Sequence, residues 1–142
     1  VGYNYRMSNM QAAIGCAQLE TIDKRLEKKI YINNKYSEML SENIDFDIYS
    51  SEKHSLSNYW LTILKINNPS KSSPEDLMES LEKSKIESRP IWYLNHLQKP
   101  YKECQNYFIE NSYLLVRNSL CLPSSVDLTE EDIERIVEKL VA

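Results

Sequence analysis

Few residues in this sequence combine a reactive type with a spacing that suggests chemistry. The two histidines are His54, in the polar stretch SSEKHSLSN, and His96, in an aromatic-rich stretch that follows a predicted strand. Arg89 and Trp92 lie shortly before His96, and loops at strand ends are a common place for binding sites. The residues alone favour a solvated role for His54, and they leave His96 open between a structural role and a polar site.

No short catalytic motif accompanies these side chains. The sequence contains no GxSxG, HExxH, Walker or GxGxxG pattern. Its 21 acidic and 17 basic residues give a formal charge of -4, without the basic face that nucleic acid requires. No apolar run reaches the roughly 20 residues that span a bilayer. Three cysteines without CxxC spacing indicate reduced thiols, so we expect a cytoplasmic protein that binds no metal, nucleic acid or membrane.

Local patterns predict an α+β domain that begins with a long helix. Ser8 and Gln11 form a capping-box pattern, and a proline-free amphipathic stretch follows, with a break expected near residues 21–23. Strands are predicted at 44–50, 58–66, 87–93 and 119–125, and further helices at 73–86, 107–117 and from Thr129 onward. We therefore expect a motif segment and long helix in 1–42, and in 43–142 a small, mainly antiparallel sheet with helices on one face.

Three longer motifs resemble one enzyme family. GYNYRMSNMQAAIGCAQLETID, SRPIWYLNHLQKPY and LCLPSSVDLTEEDIERIVEKL occur in the order found in the C-terminal part of the DegT/DnrJ/EryC1/StrS family. The resemblance implies that residues 1–142 are the small C-terminal domain of a fold type I aminotransferase that depends on pyridoxal 5'-phosphate. It also implies that glutamate donates the amino group to a nucleotide-linked keto-sugar, for polysaccharide or glycan biosynthesis.

The resemblance assigns roles to individual residues. Asn4 matches the asparagine that hydrogen-bonds the cofactor phosphate of the neighbouring subunit, which implies a homodimer, and Arg6 matches a motif arginine near the same site. His96 matches a histidine on the sugar side, and Arg89 and Trp92 belong to the same motif. These matches predict cofactor contacts at one end of the sequence and substrate contacts in its middle.

The lysine that forms the family's Schiff base has no counterpart in this sequence. Lys24, Lys28 and Lys29 fall on the predicted first helix, and Lys83 and Lys85 near the end of a later one, so all five are interpreted as surface groups. We expect the catalytic lysine upstream of the chain. The 142 residues then form an incomplete enzyme that is inactive and does not bind the cofactor by itself.

Two alternatives stay open at this point. One is a sugar dehydratase of the same family, in which a histidine replaces the lysine. The other is a non-catalytic module for dimerisation or partner binding, because the small residues at 12–17 suit close helix packing. Departures from the family motif at residues 93–95 leave the identity of the sugar undetermined.

Overall fold

The computed structural model describes residues 3–142, so Gly2 of the first motif lies outside the described range. Its α-helices are α1 (Asn9–Leu19), α2 (Ile22–Met39), α3 (Pro74–Lys83), α4 (Glu110–Arg117) and α5 (Glu130–Val141). Its strands are β1 (Phe46–Ile48), β2 (Thr62–Ile66), β3 (Arg89–Pro90) and β4 (Ser119–Leu122), and two short 3-10 helices cover Asn95–Leu97 and Lys99–Tyr101. The predicted order of helices and strands is confirmed.

Capping boxes fix the starts of three helices. At α1, Ser8 Oγ accepts the Gln11 N–H at 3.3 Å, and Gln11 Oε1 accepts the Ser8 N–H at 2.9 Å, which confirms the predicted pattern. Thr129 and Asp132 exchange the same two bonds at α5, and the bonds from Thr129 hold the pKa of the Asp132 carboxyl below its ordinary value. The third box, at α3, joins Ser73 and Asp76.

The four strands form one antiparallel sheet in the order β1-β2-β4-β3. Ile48 pairs with Leu64 across β1 and β2, and Leu64 pairs with Leu120 across β2 and β4, so these three side chains share one face. Pro90 pairs with Leu120 at the edge strand β3, where the missing N–H of proline is tolerated. The predicted antiparallel sheet is confirmed.

The core lies between one face of the sheet and helices α2, α3 and α5. Tyr36 of α2, Leu81 of α3 and Ile133 of α5 are fully buried there, together with Leu64 and Leu120 of the sheet. α4 instead lines a cavity with residues of the other face of the sheet. The prediction of helices on one face therefore holds for α2, α3 and α5.

The stretch predicted as one long helix consists of α1 and α2, and the break expected near residues 21–23 lies at Glu20–Thr21. The Thr21 hydroxyl and backbone N–H both donate to the Gln18 carbonyl at 3.3 Å, and such local bonds compete with a continuous helix. α2 contributes Ile32 and Tyr36 to the core, whereas α1 has no buried residue. The second half of this stretch thus belongs to the same core as the sheet.

Within residues 3–142, no helix combines the length and the apolar character needed to cross a membrane. In the same range, no group of three or more His, Cys, Asp or Glu side chains is arranged to hold a metal ion. Cys16 and Cys104 are exposed and Cys121 is buried, and all three are free thiols, as their spacing predicted.

Candidate functional site

Asn4 and Arg6 contact each other in an exposed segment that precedes α1. Asn4 Oδ1 accepts hydrogen bonds from the Arg6 backbone N–H at 3.1 Å and from Arg6 Nε–H at 3.4 Å. Both donors require an oxygen, so the Nδ2 group of the amide remains as a donor for another partner. An amide donor beside a guanidinium is a donor set that suits a phosphate group, and the two residues therefore fit the predicted cofactor contact.

Helix α1 follows this segment and leaves its large apolar side chains exposed to solvent. Met10, Ile14 and Leu19 are 75%, 60% and 69% exposed. A Cβ atom added at Gly15 would meet no atom within 4 Å, so no described residue packs closely against α1 at this position. The described part of the chain supplies no buried contact for either surface of α1.

Trp92 forms a stacked pair with Trp60, a residue that sequence reasoning did not assign to the site. Their ring centroids lie 5.1 Å apart with an interplanar angle of 27°. The two residues are 60% and 63% exposed, so the pair presents a continuous aromatic surface. Trp60 precedes β2 by two positions and Trp92 follows β3 by two, and these non-adjacent strands therefore place the indoles together.

Lys29 is a second residue that sequence reasoning missed. It was predicted to be a helix-surface group, and this is wrong, because its Nζ donates to the Trp60 carbonyl at 2.8 Å and to the carbonyl and Oγ of Ser124. Desolvation of the half-buried ammonium lowers the pKa of Lys29. Its partners lie 31 and 95 positions away, and no local pattern signals contacts at such distances.

His96 lies in the first 3-10 helix, where α4 holds its ring. The His96 Nε2 atom is 3.0 Å from the Tyr113 hydroxyl, and the two rings meet edge to face with centroids 5.3 Å apart. Nδ1 is then the ring nitrogen that remains for a ligand. His54 is exposed in its loop, as predicted.

Arg89 lies on β3 opposite Cys121 and pairs with a neighbouring carboxylate. Its Nε and Nη2 donate to Glu87 Oε1 at 3.0 and 2.8 Å, and both side chains are well exposed. Burial raises the pKa of the Cys121 thiol, and the charge of Arg89 opposes that shift. A cavity of about 460 Å³ adjoins Arg89 and is lined also by Leu61 and Ser124. This volume lies in the range of small-molecule sites.

Among residues 3–142, Asn4 and Arg6 are the two predicted site residues that the structure brings into contact with each other. Asn4 contacts Arg6, and Trp92 and His96 each contact an aromatic residue that had not been assigned. Among residues 3–142, no hydrogen bond, ion pair or ring contact joins the Asn4–Arg6 pair to His96, Arg89 or Trp92. The Asn4–Arg6 pair precedes α1, whereas Arg89, Trp92 and His96 lie on β3 or in the segment that follows it, each with its own partner.

Comparison with known proteins shows which family and which solved folds the chain resembles. The model of the DegT/DnrJ/EryC1/StrS aminotransferase family matches residues 1–141. EpsN of Bacillus subtilis (strain 168), named as a candidate pyridoxal phosphate-dependent aminotransferase, is 34% identical over 99% of this chain and 37% of its own length. GDP-perosamine synthase of Vibrio cholerae is 33% identical over 96% of this chain and 37% of its own length. The chain therefore spans somewhat more than a third of these relatives.

Among solved structures, DesI in the presence of its TDP-sugar product matches this chain with a TM-score of 0.84 at 22% identity. The match covers 98% of this chain and 36% of the DesI chain. At this identity the likeness concerns the fold alone, and it confirms the predicted α+β fold.

Proposed function

The chain belongs to the DegT/DnrJ/EryC1/StrS aminotransferase family, and from this we propose that it is part of a pyridoxal-phosphate-dependent enzyme that transfers an amino group from glutamate to a nucleotide-linked keto-sugar. The observation that carries the proposal is the family match over residues 1–141. The relatives span nearly three times this length, so the activity is assigned to a longer protein. We place its product in polysaccharide or glycan synthesis.

Asn4 and Arg6 are assigned to the cofactor phosphate in the neighbouring subunit of a homodimer. The assignment is supported by the exposure of both side chains and by the Nδ2 donor that the bond to Arg6 leaves available. When bound, pyridoxal phosphate supplies the electron sink for the amino transfer. In this proposal Asn4 orients the phosphate without adding charge, and Arg6 neutralises part of its negative charge.

His96, Arg89 and Trp92 are assigned to the nucleotide-sugar side. With Nε2 held by Tyr113, His96 directs Nδ1 to a hydroxyl of the sugar. The Arg89 guanidinium suits the diphosphate that links sugar and nucleoside, because planar guanidinium donors match phosphate oxygens. The exposed indole of Trp92 offers a flat apolar face to a ring of the substrate.

The proposed function is tested by comparing the full-length protein with the 142-residue chain. With pyridoxal phosphate, glutamate and a nucleotide-linked keto-sugar, the full-length protein is expected to release oxoglutarate and to form an aminated nucleotide sugar. The chain alone is expected to do neither, since none of its lysines lies in the family's lysine motif. A deoxygenated product without new nitrogen would identify a dehydratase instead. Visible absorption from covalently held cofactor in the isolated chain would contradict the inactivity of the fragment.

Exchange of His96 for asparagine is expected to raise the KM for the nucleotide sugar by about tenfold, the factor that corresponds to one lost hydrogen bond of ordinary strength. Cofactor retention should stay as in the wild type, because His96 is assigned to the sugar side. Steady-state kinetics with varied sugar, together with cofactor titration, measures both effects. His54→Asn is the matched control, since His54 is exposed in its loop. Loss of cofactor with an unchanged sugar KM would overturn the assignment.

A further inference from the structure

Helix α2 holds two separate loops through one lysine. The three N–H donors of the Lys29 ammonium meet three oxygens, the carbonyls of Trp60 and Ser124 and the Ser124 hydroxyl. Ser124 Oγ in turn donates to the Trp60 carbonyl at 3.3 Å, which closes a ring of hydrogen bonds. The ammonium therefore links the turn before β2 to the segment after β4.

Tyr36 provides a second anchor on the same face of α2, two helical turns beyond Lys29. Its fully buried side chain donates from the hydroxyl to the Pro123 carbonyl at 3.0 Å. The consecutive carbonyls of Pro123 and Ser124 are thus both bound to α2. Because this segment is fixed, Lys29 and Ser124 give Trp60 a rigid attachment.

The turn before Trp60 is also held by hydrogen bonds among its own residues. Tyr59 has a φ of 45°, in the left-handed region that aromatic residues rarely adopt. Ser57 Oγ accepts the Tyr59 N–H at 3.0 Å, and Asn58 Oδ1 accepts the Trp60 N–H at 3.1 Å. The N–H and the carbonyl of Trp60 are therefore both bound, which fixes the backbone from which its indole projects.

We propose that Lys29 is a positioning residue for Trp92 and acts through Trp60. Lys29 fixes the Trp60 backbone, and the Trp60 indole, stacked at 5.1 Å, fixes the position of Trp92. The exposed surface of the pair then takes a ring face of the substrate, from the base or from the sugar, by stacking. This inference rests on the proposed function, because that function assigns Trp92 to the substrate.

The test uses the full-length protein with Lys29→Met, Trp60→Ala and the double variant. Stacked indoles give an exciton-coupled circular dichroism band, which Trp60→Ala identifies by difference. Lys29→Met is expected to abolish that band and to raise the KM for the nucleotide sugar roughly three- to tenfold, as for a lost aromatic contact. The KM for the amino donor should not change. The sugar KM of the double variant should not exceed that of Trp60→Ala, since both substitutions disrupt the same positioning contact.

Matched variants separate positioning from general stability. Lys29→Arg keeps a cation and is expected to restore most of the band, and Lys24→Met removes a charge from the exposed part of the same helix without affecting band or KM. A Lys29→Met protein that unfolds cooperatively but keeps the band, or loses the band with a wild-type sugar KM, would overturn the proposal. Additive effects in the double variant would overturn it too.

Two further measurements complete the test. One shows which ring of the substrate stacks on the indoles, and the other tests the role of Lys29 even if the proposed function fails. Competitive inhibition by the substrate's free nucleoside diphosphate should weaken in Trp60→Ala if the base stacks, and stay unchanged if the sugar ring does. If the wild-type protein aminates no nucleotide keto-sugar, the proposed function has failed. The band in Lys29→Met then still shows whether Lys29 positions the aromatic pair.

Discussion

Replacing Asn4 with alanine in the full-length protein is expected to weaken the retention of pyridoxal phosphate by about 10- to 100-fold, because a hydrogen bond to a charged group contributes about 1.5–3 kcal/mol. The amide suits this role, since Arg6 engages its oxygen and leaves Nδ2 as the donor. Dialysis of the loaded enzyme, followed by absorbance of the released cofactor, measures the effect. The sugar KM of the reloaded variant should remain close to the wild-type value.

Asn4→Asp separates the donor role from a merely structural one. Aspartate keeps an oxygen for the Arg6 N–H, but it has no Nδ2 donor and places a negative charge beside the phosphate. Its loss of cofactor should therefore equal or exceed that of Asn4→Ala. Asn9→Ala, on the exposed first residue of α1, is the matched control and should retain the cofactor. Wild-type retention in the Asn4→Asp dimer would contradict the phosphate contact.

Helix starts were predictable because their determinants are local. Ser8 with Gln11, and Thr129 with Asp132, make the reciprocal bonds that their spacing predicts. Such pairs depend on residues three positions apart, and no tertiary information is needed to recognise them. The acidic first turn of α5 adds a favourable interaction with the helix dipole.

The starts of three strands, β1, β2 and β3, were predicted too early, and for β1 and β2 the structure shows a physical reason. Asn43 Oδ1 accepts the N–H groups of Asp45 and Phe46, so pairing in β1 begins only at Phe46. Asn58 Oδ1 binds the Trp60 N–H in the same way, and β2 begins at Thr62. The alternation of apolar residues was a correct signal for the paired core of each strand. At the starts of β1 and β2, hydrogen bonds between side-chain oxygens and backbone N–H groups take the place of strand pairing.

The candidate site was less predictable than the fold. The resemblance selected Trp92 and His96, but their partners Trp60 and Tyr113 are contributed by distant segments. Lys29 reads as a surface lysine on a charged helix until the strands bring Trp60 and Ser124 to it. A one-dimensional pattern shows which residues are able to donate, and the topology of the sheet decides which acceptors they meet.

The apolar stripe of α1 shows a related limit. Periodicity predicted an apolar stripe that begins with Met10, Ile14 and Ala17, and all three residues are exposed in the described chain. A periodic pattern identifies the face of a helix and carries no information about what covers it. Because α1 has no buried residue, substitutions of its apolar side chains should change stability far less than substitutions in the sheet core.

Leu120→Ala is expected to lower the free energy of unfolding by about 2–5 kcal/mol, the usual cost of a cavity at a fully buried leucine. Leu120 is 0% exposed and lies where β4 pairs with both β2 and β3, opposite Leu64 and Pro90. The loss is a large fraction of the roughly 5–15 kcal/mol that stabilises a typical domain. Urea denaturation of the 142-residue chain, followed by circular dichroism, measures the change.

Leu19→Ala is the matched control for this substitution, because it removes the same atoms from a leucine that is 69% exposed on α1. Its effect on the free energy of unfolding should stay within about 0.5 kcal/mol, as for surface substitutions away from special features. Both substitutions remove the same atoms, and the leucines differ in burial as well as in secondary structure, so the contrast measures mainly the contribution of the sheet core. Equal losses of unfolding free energy in the two variants would show that α1 packs against this core. That result would contradict the exposed position of α1, on which the role proposed for Asn4 at the phosphate relies.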